Sequence, residues 1–258
     1  MSPLWRVVRK MKLFLAGTAS RAWLFDSLST QAYKPYILES FYYCNNTIEQ
    51  LIPCFKDFLL DSGAFTFMQG KHGGKIDWNE YVKKYADFIN KNQIKHYFEL
   101  DIDSIVGYEN VKKLRNQLYS LTGVQPIPVW HKSRGSKDFT EMCKEYPYVA
   151  IGGIVSGEIP STQYKYLPKL ISEAHNHGAR IHGLGFTSLK WLPFCHFDSV
   201  DSTAWTTGNR FGYIYQFDGE TMQNVKPPKG NKLADTRLAA SNNYNEWIKF
   251  QQYAETNL

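Results

Sequence analysis

Five stretches of this chain carry residues that could do chemistry. Asp61-Ser62-Gly63-Ala64-Phe65 follows one apolar run, Asp101 and Asp103 follow a second, and His131 follows a third. Gly152-Gly153 follows a fourth, and Asp198 lies within Phe197-Asp-Ser-Val200. Taken singly each has a structural reading: an Asp after a strand caps a helix or closes a turn, a histidine can be satisfied in a core, and paired glycines make room for a turn. Together they suggest more. Carboxylates gathered in one place separate their pKa values, so one stays an ionised nucleophile while another keeps a proton for a leaving group. That division suits substitution at a sugar C1′, where an oxocarbenium-like transition state needs a carboxylate on one face and an acid at the departing atom. The same acids could hold Mg²⁺ in an isomerase or aldolase barrel, a reading that no glycine-rich phosphate motif strengthens.

The elements that must position these groups alternate between short apolar runs and amphipathic stretches, the rhythm of strand and helix units around a parallel sheet. Eight strands are predicted, at residues 12–16, 58–61, 97–101, 127–130, 148–151, 180–184, 197–200 and 213–217. A helix begins at Asp77-Trp-Asn-Glu80, an acidic cap with Glu three residues on, after which Val82, Tyr85, Ala86 and Ile89 share one face. Further helices are expected over 109–120, 137–145, 164–177 and 243–253. Val225–Lys232, rich in Pro, Gly and Lys, reads as an exposed loop. The expected fold is α/β, a single-domain (β/α)₈ TIM barrel over residues 1–258, with active residues at the C-terminal ends of its strands.

Composition narrows the classes. At 43% hydrophobic and 21% charged the chain is neither disordered nor fibrous, and no apolar run approaches bilayer length, so no membrane partner is expected. The basic N-terminus lacks the apolar stretch and cleavage site of a secretory signal, which points to the cytoplasm. Cys44, Cys54, Cys143 and Cys195 show no CxC or CxxC spacing, so neither a zinc cluster nor a disulfide framework is suggested, and buried free thiols are expected. A net charge of +6 suits a polyanionic partner.

Leu60-Asp-Ser-Gly-Ala-Phe65 resembles the DSGGF or DSGGY stretch of the guanine transglycosylases, the superfamily of the queuine and archaeosine tRNA-ribosyltransferases, which exchange guanine for a 7-deazaguanine in tRNA or DNA. Ala150-Ile-Gly-Gly-Ile-Val-Ser-Gly-Glu158 is similar to that family's AIGGLAVGE and Phe197-Asp-Ser-Val200 to its FDCV, while Ser202–Gly212 resembles the PTR-x-x-RNG loop that follows. The resemblance implies that Asp198 is the nucleophile forming a covalent sugar intermediate and that Asp61 is the acid and base, in a ping-pong exchange without cofactor or metal. Asp101 would accept from the guanine N1–H and N2–H₂ edge, Ser62 and the backbone of Gly152 and Gly153 would add polar contacts, and Phe65 would stack on the base. His131 stands where the tRNA enzymes carry Gln and would take part in recognising the base. Asp201 challenges Asp198 as nucleophile, since three residues apart on a regular strand they point to opposite faces; Asp198 is favoured by the motif.

Departures from the family favour one substrate. The tRNA enzymes carry a CxCxxC and His zinc site near the C-terminus and longer chains, whereas this short, zinc-free form is more like the phage-type DNA transglycosylases, whose incoming base is preQ0 or a relative. Its site would then be the host cytoplasm if phage-encoded, with duplex-opening DNA-modification proteins as further partners. A buried guanine must be extruded or arrive single-stranded. Trp205 and Arg210, on the loop after the motif, and Lys132 and Arg134 are candidate contacts to the displaced strand or its phosphates. The rival from another class is a catalytically silent barrel that binds nucleic acid through its basic surface.

Overall fold

A computed structural model describes residues 10–25, 32–63, 66, 76–227 and 235–258, with the backbone alone at Asn209 and Arg210. Among them eight parallel strands form one sheet: β1 (Lys12–Ala16), β2 (Tyr36–Ser40), β3 (Asp57–Asp61), β4 (His96–Tyr97), β5 (Val129–Trp130), β6 (Tyr148–Ile151), β7 (Arg180–Gly183) and β8 (Ser199–Ser202). Each strand lies beside its sequence neighbours, and β1 also pairs with β8, Phe14 opposite Asp201. The sheet curls, and its edge strands β4 and β5 touch through one isolated parallel bridge, Phe98 with Ile127, rather than a ladder. At that seam two backbone bonds, from the Ile127 N–H to the Tyr97 carbonyl at 2.8 Å and from the Glu99 N–H to the Ile127 carbonyl at 3.0 Å, are joined by a side chain. The buried Glu99 accepts from the Val129 N–H at 2.7 Å and pairs with Arg115 at 3.1 Å. Burial pushes its carboxyl up to about 7, against the pull of the Arg115 charge and the Val129 hydrogen bond.

Side chains alternate as a two-residue period requires. Leu13, Leu15, Ile37, Leu60 and Val149 belong to the larger core, which the helices share, while Phe14, Tyr36, Leu59, Phe98 and Ala150 fill the smaller core. Helices cover the outer face. Trp78–Lys91 is capped by Asp77, whose carboxylate accepts from the Asn79 and Glu80 N–H groups, and buries Val82, Tyr85, Ala86 and Ile89 on the predicted face. The helices Tyr108–Thr122, Gly135–Glu145 and Leu167–Asn176 fall where the sequence places them.

Two expectations about strands are corrected. Residues 213–217 do not join the parallel sheet: β9 (Ile214–Phe217) pairs antiparallel with β10 (Met222–Val225) in a separate hairpin. The eighth parallel strand is β2, where three apolar residues run straight into Glu39 and leave little period to read. The C-terminal helix, Thr236–Asn257, is twice the expected length because it packs on the hairpin and on β1. Its buried Gln251 donates to the carbonyls of Leu13 (2.6 Å) and Tyr36 (3.0 Å) and accepts from the Tyr36 N–H (3.1 Å), pairing backbone groups that the short β1–β2 ladder leaves over. Within the expected loop Val225–Lys232, residues 228–232 lie outside the described residues. No described helix is long and apolar enough to cross a membrane. All four cysteines are free; Cys143 and Cys195 are buried, Cys44 and Cys54 half-buried.

Candidate active site

Because all eight strands run the same way, their last inward residues meet at one mouth. Asp61 closes β3 two residues after the inward Leu59, and Asp201 follows the inward Ser199 on β8. His131 extends the line of Val129 beyond β5, and Asp101 lies in the loop that follows β4, within reach of His131. Asp61 accepts from the Gly63 N–H at 3.0 Å. Burial pushes its carboxyl up to about 6; the Asp201 and Asp101 charges add to that, and the Gly63 hydrogen bond works against it. A carboxylic acid that keeps its proton close to neutrality thus stands in the field of two further carboxylates. Gly63 sits at φ +80°, and a Cβ there would lie 2.8 Å from Tyr42 Cβ, so the turn that aims Asp61 has room only for glycine. Ser62 is fully buried, and its hydroxyl has no partner among the described residues.

His131 ties three loops together. Its Nε2 lies 2.7 Å from Asp101 Oδ1 and its Nδ1 2.9 Å from Glu158 Oε2, whose other oxygen accepts from the Ser133 N–H at 2.6 Å. Burial disfavours the charged ring, but the hydrogen bond and charge of Asp101, followed by the Glu158 hydrogen bond and the Asp103 charge, outweigh it and raise the imidazole to about 9. With both nitrogens engaged, His131 holds Asp101 in place and has no N–H left over for a base edge. The glycine pair makes this possible. A Cβ on Gly152 would lie 2.9 Å from His131 Cε1, and one on Gly153, at φ +79°, would lie 2.6 Å from Glu158 Oε2. Asp101, Asp103 and His131 also bring three ligand atoms within 4.8 Å of one another, so the same corner could hold a divalent cation.

Asp198 is not at this mouth. It precedes β8, at the N-terminal end of the sheet, where Oδ2 accepts from the Ile181 N–H at 2.7 Å and meets His175 Nε2 at 2.8 Å. It lines a cavity of about 340 Å³ with Lys12, Asp57, His96, Tyr148 and Arg180. The expectation that Asp198 and Asp61 face one sugar carbon is therefore corrected: they lie at opposite ends of the strands. The reason is register. The strand runs on to Ser202, so the inward residue nearest the mouth is Asp201, whose Oδ1 accepts from the Gly185 N–H at 2.6 Å.

Of the residues expected to meet a displaced strand, Trp205 is buried, 1% exposed, and its Nε1–H donates to the Ala16 carbonyl at 2.8 Å. It is a core residue. Arg134 is committed within the chain, donating to the Val129 carbonyl, pairing with Asp138 at 3.2 Å and lying 4.0 Å over the Tyr108 ring. A basic residue that follows a strand by four positions can reach back to that strand's own carbonyl, and this one does. Lys132 is exposed, in a short turn beside His131. Phe65 and the side chain of Arg210 lie outside the described residues. Sequence reasoning missed two residues, Glu158 and His182. Glu158 ends a motif whose glycines draw the attention, and His182 is signalled as the buried polar inward position of β7. No family model and no curated protein matches this chain.

Proposed function

We propose that the chain is a base-exchange transglycosylase of (β/α)₈ form that replaces guanine in DNA with a 7-deazaguanine such as preQ0, with Asp201 as nucleophile and Asp61 as acid and base. The observation that carries the reading is that a carboxyl raised to about 6 and a second, inward carboxylate share one mouth at the C-terminal ends of β3 and β8. The cyclic strand order and the Phe98–Ile127 bridge support the barrel form.

In the first half-reaction Asp201 attacks C1′, its carboxylate forms a C–O bond as the C1′–N9 bond breaks, and the electron pair leaves with guanine, which takes the Asp61 proton. In the second, the ionised Asp61 removes the N9 proton of the incoming deazaguanine, N9 attacks C1′, and Asp201 departs as carboxylate. The Asp101 oxygen not bonded to His131 accepts from the N1–H and N2–H₂ edge, a donor pair that adenine lacks. The net charge of +6 suits a polyanionic substrate, DNA is the polymer proposed, and the exchange as written calls for no cofactor. Incubating the protein with guanine-containing DNA or tRNA and labelled guanine or preQ0 tests this: label enters DNA, and a protein that only binds nucleic acid incorporates none.

The grouping of Asp101, Asp103 and His131 favours one other reading, a divalent-cation lyase or isomerase. Chelation with EDTA separates the two, because base exchange proceeds in its presence and metal chemistry stops.

A further inference from the structure

Behind the mouth a chain of polar side chains crosses the interior of the sheet. It begins at Asp201 Oδ1, which accepts from the Gly185 N–H and lies 3.1 Å from His182 Nε2. His182 is completely buried, its ring 5.1 Å from that of Phe98 and 6.3 Å from that of Phe14. Its Nδ1 is 2.6 Å from Ser199 Oγ, and Ser199 Oγ meets the Tyr148 hydroxyl. Tyr148 is also part of the cavity wall at the opposite end of the strands. An imidazole among phenyl rings is costly unless both nitrogens are satisfied, and here both are.

The protons of this chain can be placed so that every donor has one acceptor. The Asp201 carboxylate only accepts, so His182 Nε2 carries the hydrogen. In the neutral ring Nδ1 then accepts from the Ser199 O–H, which leaves the serine oxygen to accept from the Tyr148 O–H. Burial pushes the Tyr148 hydroxyl well above its ordinary pKa, which keeps it a donor. Two N–H groups, from Gly185 and His182, then converge on one oxygen of Asp201.

We propose that His182, backed by Ser199 and Tyr148, is the positioning residue of the nucleophile: it fixes Asp201 Oδ1 so that Oδ2 is presented to C1′. This rests on the reading of Asp201 as nucleophile given above. A carboxylate at a strand end otherwise rotates about its last bond, and attack at carbon requires a near-attack geometry. A residue that merely filled the core would be replaceable by phenylalanine, since its ring neighbours are Phe14 and Phe98.

The test compares the parent with His182→Phe, Ser199→Ala and Asp201→Asn by ¹⁵N NMR of the histidine side chains and by exchange kinetics. At neutral pH the parent shows His182 as the Nε2–H tautomer, a signal absent in His182→Phe and displaced in both Ser199→Ala and Asp201→Asn. His182→Phe, folded by its thermal melt, loses at least about tenfold in kcat with KM within about twofold, because orientation rather than base binding is lost. If His182→Phe does not fold, Ser199→Ala, which removes a single oxygen, carries the kinetic comparison with the same split. An Nδ1–H tautomer, or a folded variant with parental kcat, overturns the proposal. Should the parent exchange no bases, the proposed function falls by itself, and the tautomer and its response to Asp201→Asn decide whether His182 orients this carboxylate.

Discussion

Asp61 and Asp201 divide the proposed chemistry, and substitutions at each have different consequences. Asp201→Asn should form no covalent DNA adduct, and Asp61→Asn should lower exchange at least about a hundredfold. Asp198→Asn, at the far end of the strands, should stay within a few-fold of the parent in the same labelled-base assay. The raised pKa of Asp61 also predicts a pH dependence. Asp61 must hold a proton to release guanine, so kcat/KM should fall as pH rises through about 6, and that limb should vanish in Asp61→Asn. For stability the sign is the reverse of that of an ion-paired carboxylate. The folded state holds this proton more tightly than the unfolded chain, so ionising Asp61 costs stability once pH exceeds about 4, and the full cost is present above about 6. Asp61→Asn should therefore melt higher than the parent at pH 8 and no higher at pH 4. Asp61 and Asp101 are legible as candidate site residues because each ends a largely apolar run. The motif points to Asp198 ahead of Asp201, and the side-chain period that separates the two can be applied only once the strand's true end is known.

At the scale of elements, strands were legible where apolar residues run together and obscure where a buried polar residue interrupts them. β2 escaped because Glu39 cuts its apolar run after Leu38. That glutamate is buried and accepts from the Thr18 N–H and hydroxyl and from the Ala19 N–H, so it holds the turn after β1. The hairpin of β9 and β10 has strand character that no local pattern could assign to one sheet or another, since partner choice depends on the long helix beneath it. Gln251 on that helix takes the place of ladder hydrogen bonds between β1 and β2. Gln251→Leu leaves the Leu13 carbonyl and both Tyr36 backbone groups to find other partners. It should cost at least about 2 kcal/mol in urea unfolding, with an unchanged m-value.

For the molecule as a whole, the net charge of +6 predicts binding to DNA that weakens with salt. The logarithm of the affinity should fall linearly with that of salt concentration, and Lys132→Ala should reduce the slope by about one if that exposed lysine meets a phosphate. Arg134→Ala should act differently. It removes contacts to Val129, Asp138 and Tyr108, so it should lower the melting temperature more than the salt slope. The net charge of +6 and the acidic mouth are compatible in this reading, in which a polyanion lies outside the mouth while a single uncharged base enters.

The sequence by itself determined the alternation of strands and helices, the capped helix after Asp77 and the placement of Asp61, Asp101 and His131 at strand ends, because these depend on local apolar period and on turn chemistry. Tertiary structure alone decided which acids share a mouth. Whether Asp198 or Asp201 faces Asp61 depends on where β8 ends relative to its neighbours, a register set by pairing with β1 and β7 across residues far away in the chain. The same holds for the His131 clamp and the buried line from Asp201 to Tyr148. Their members come from different strands and loops, and only the curl of the sheet brings the donors and acceptors within hydrogen-bond reach.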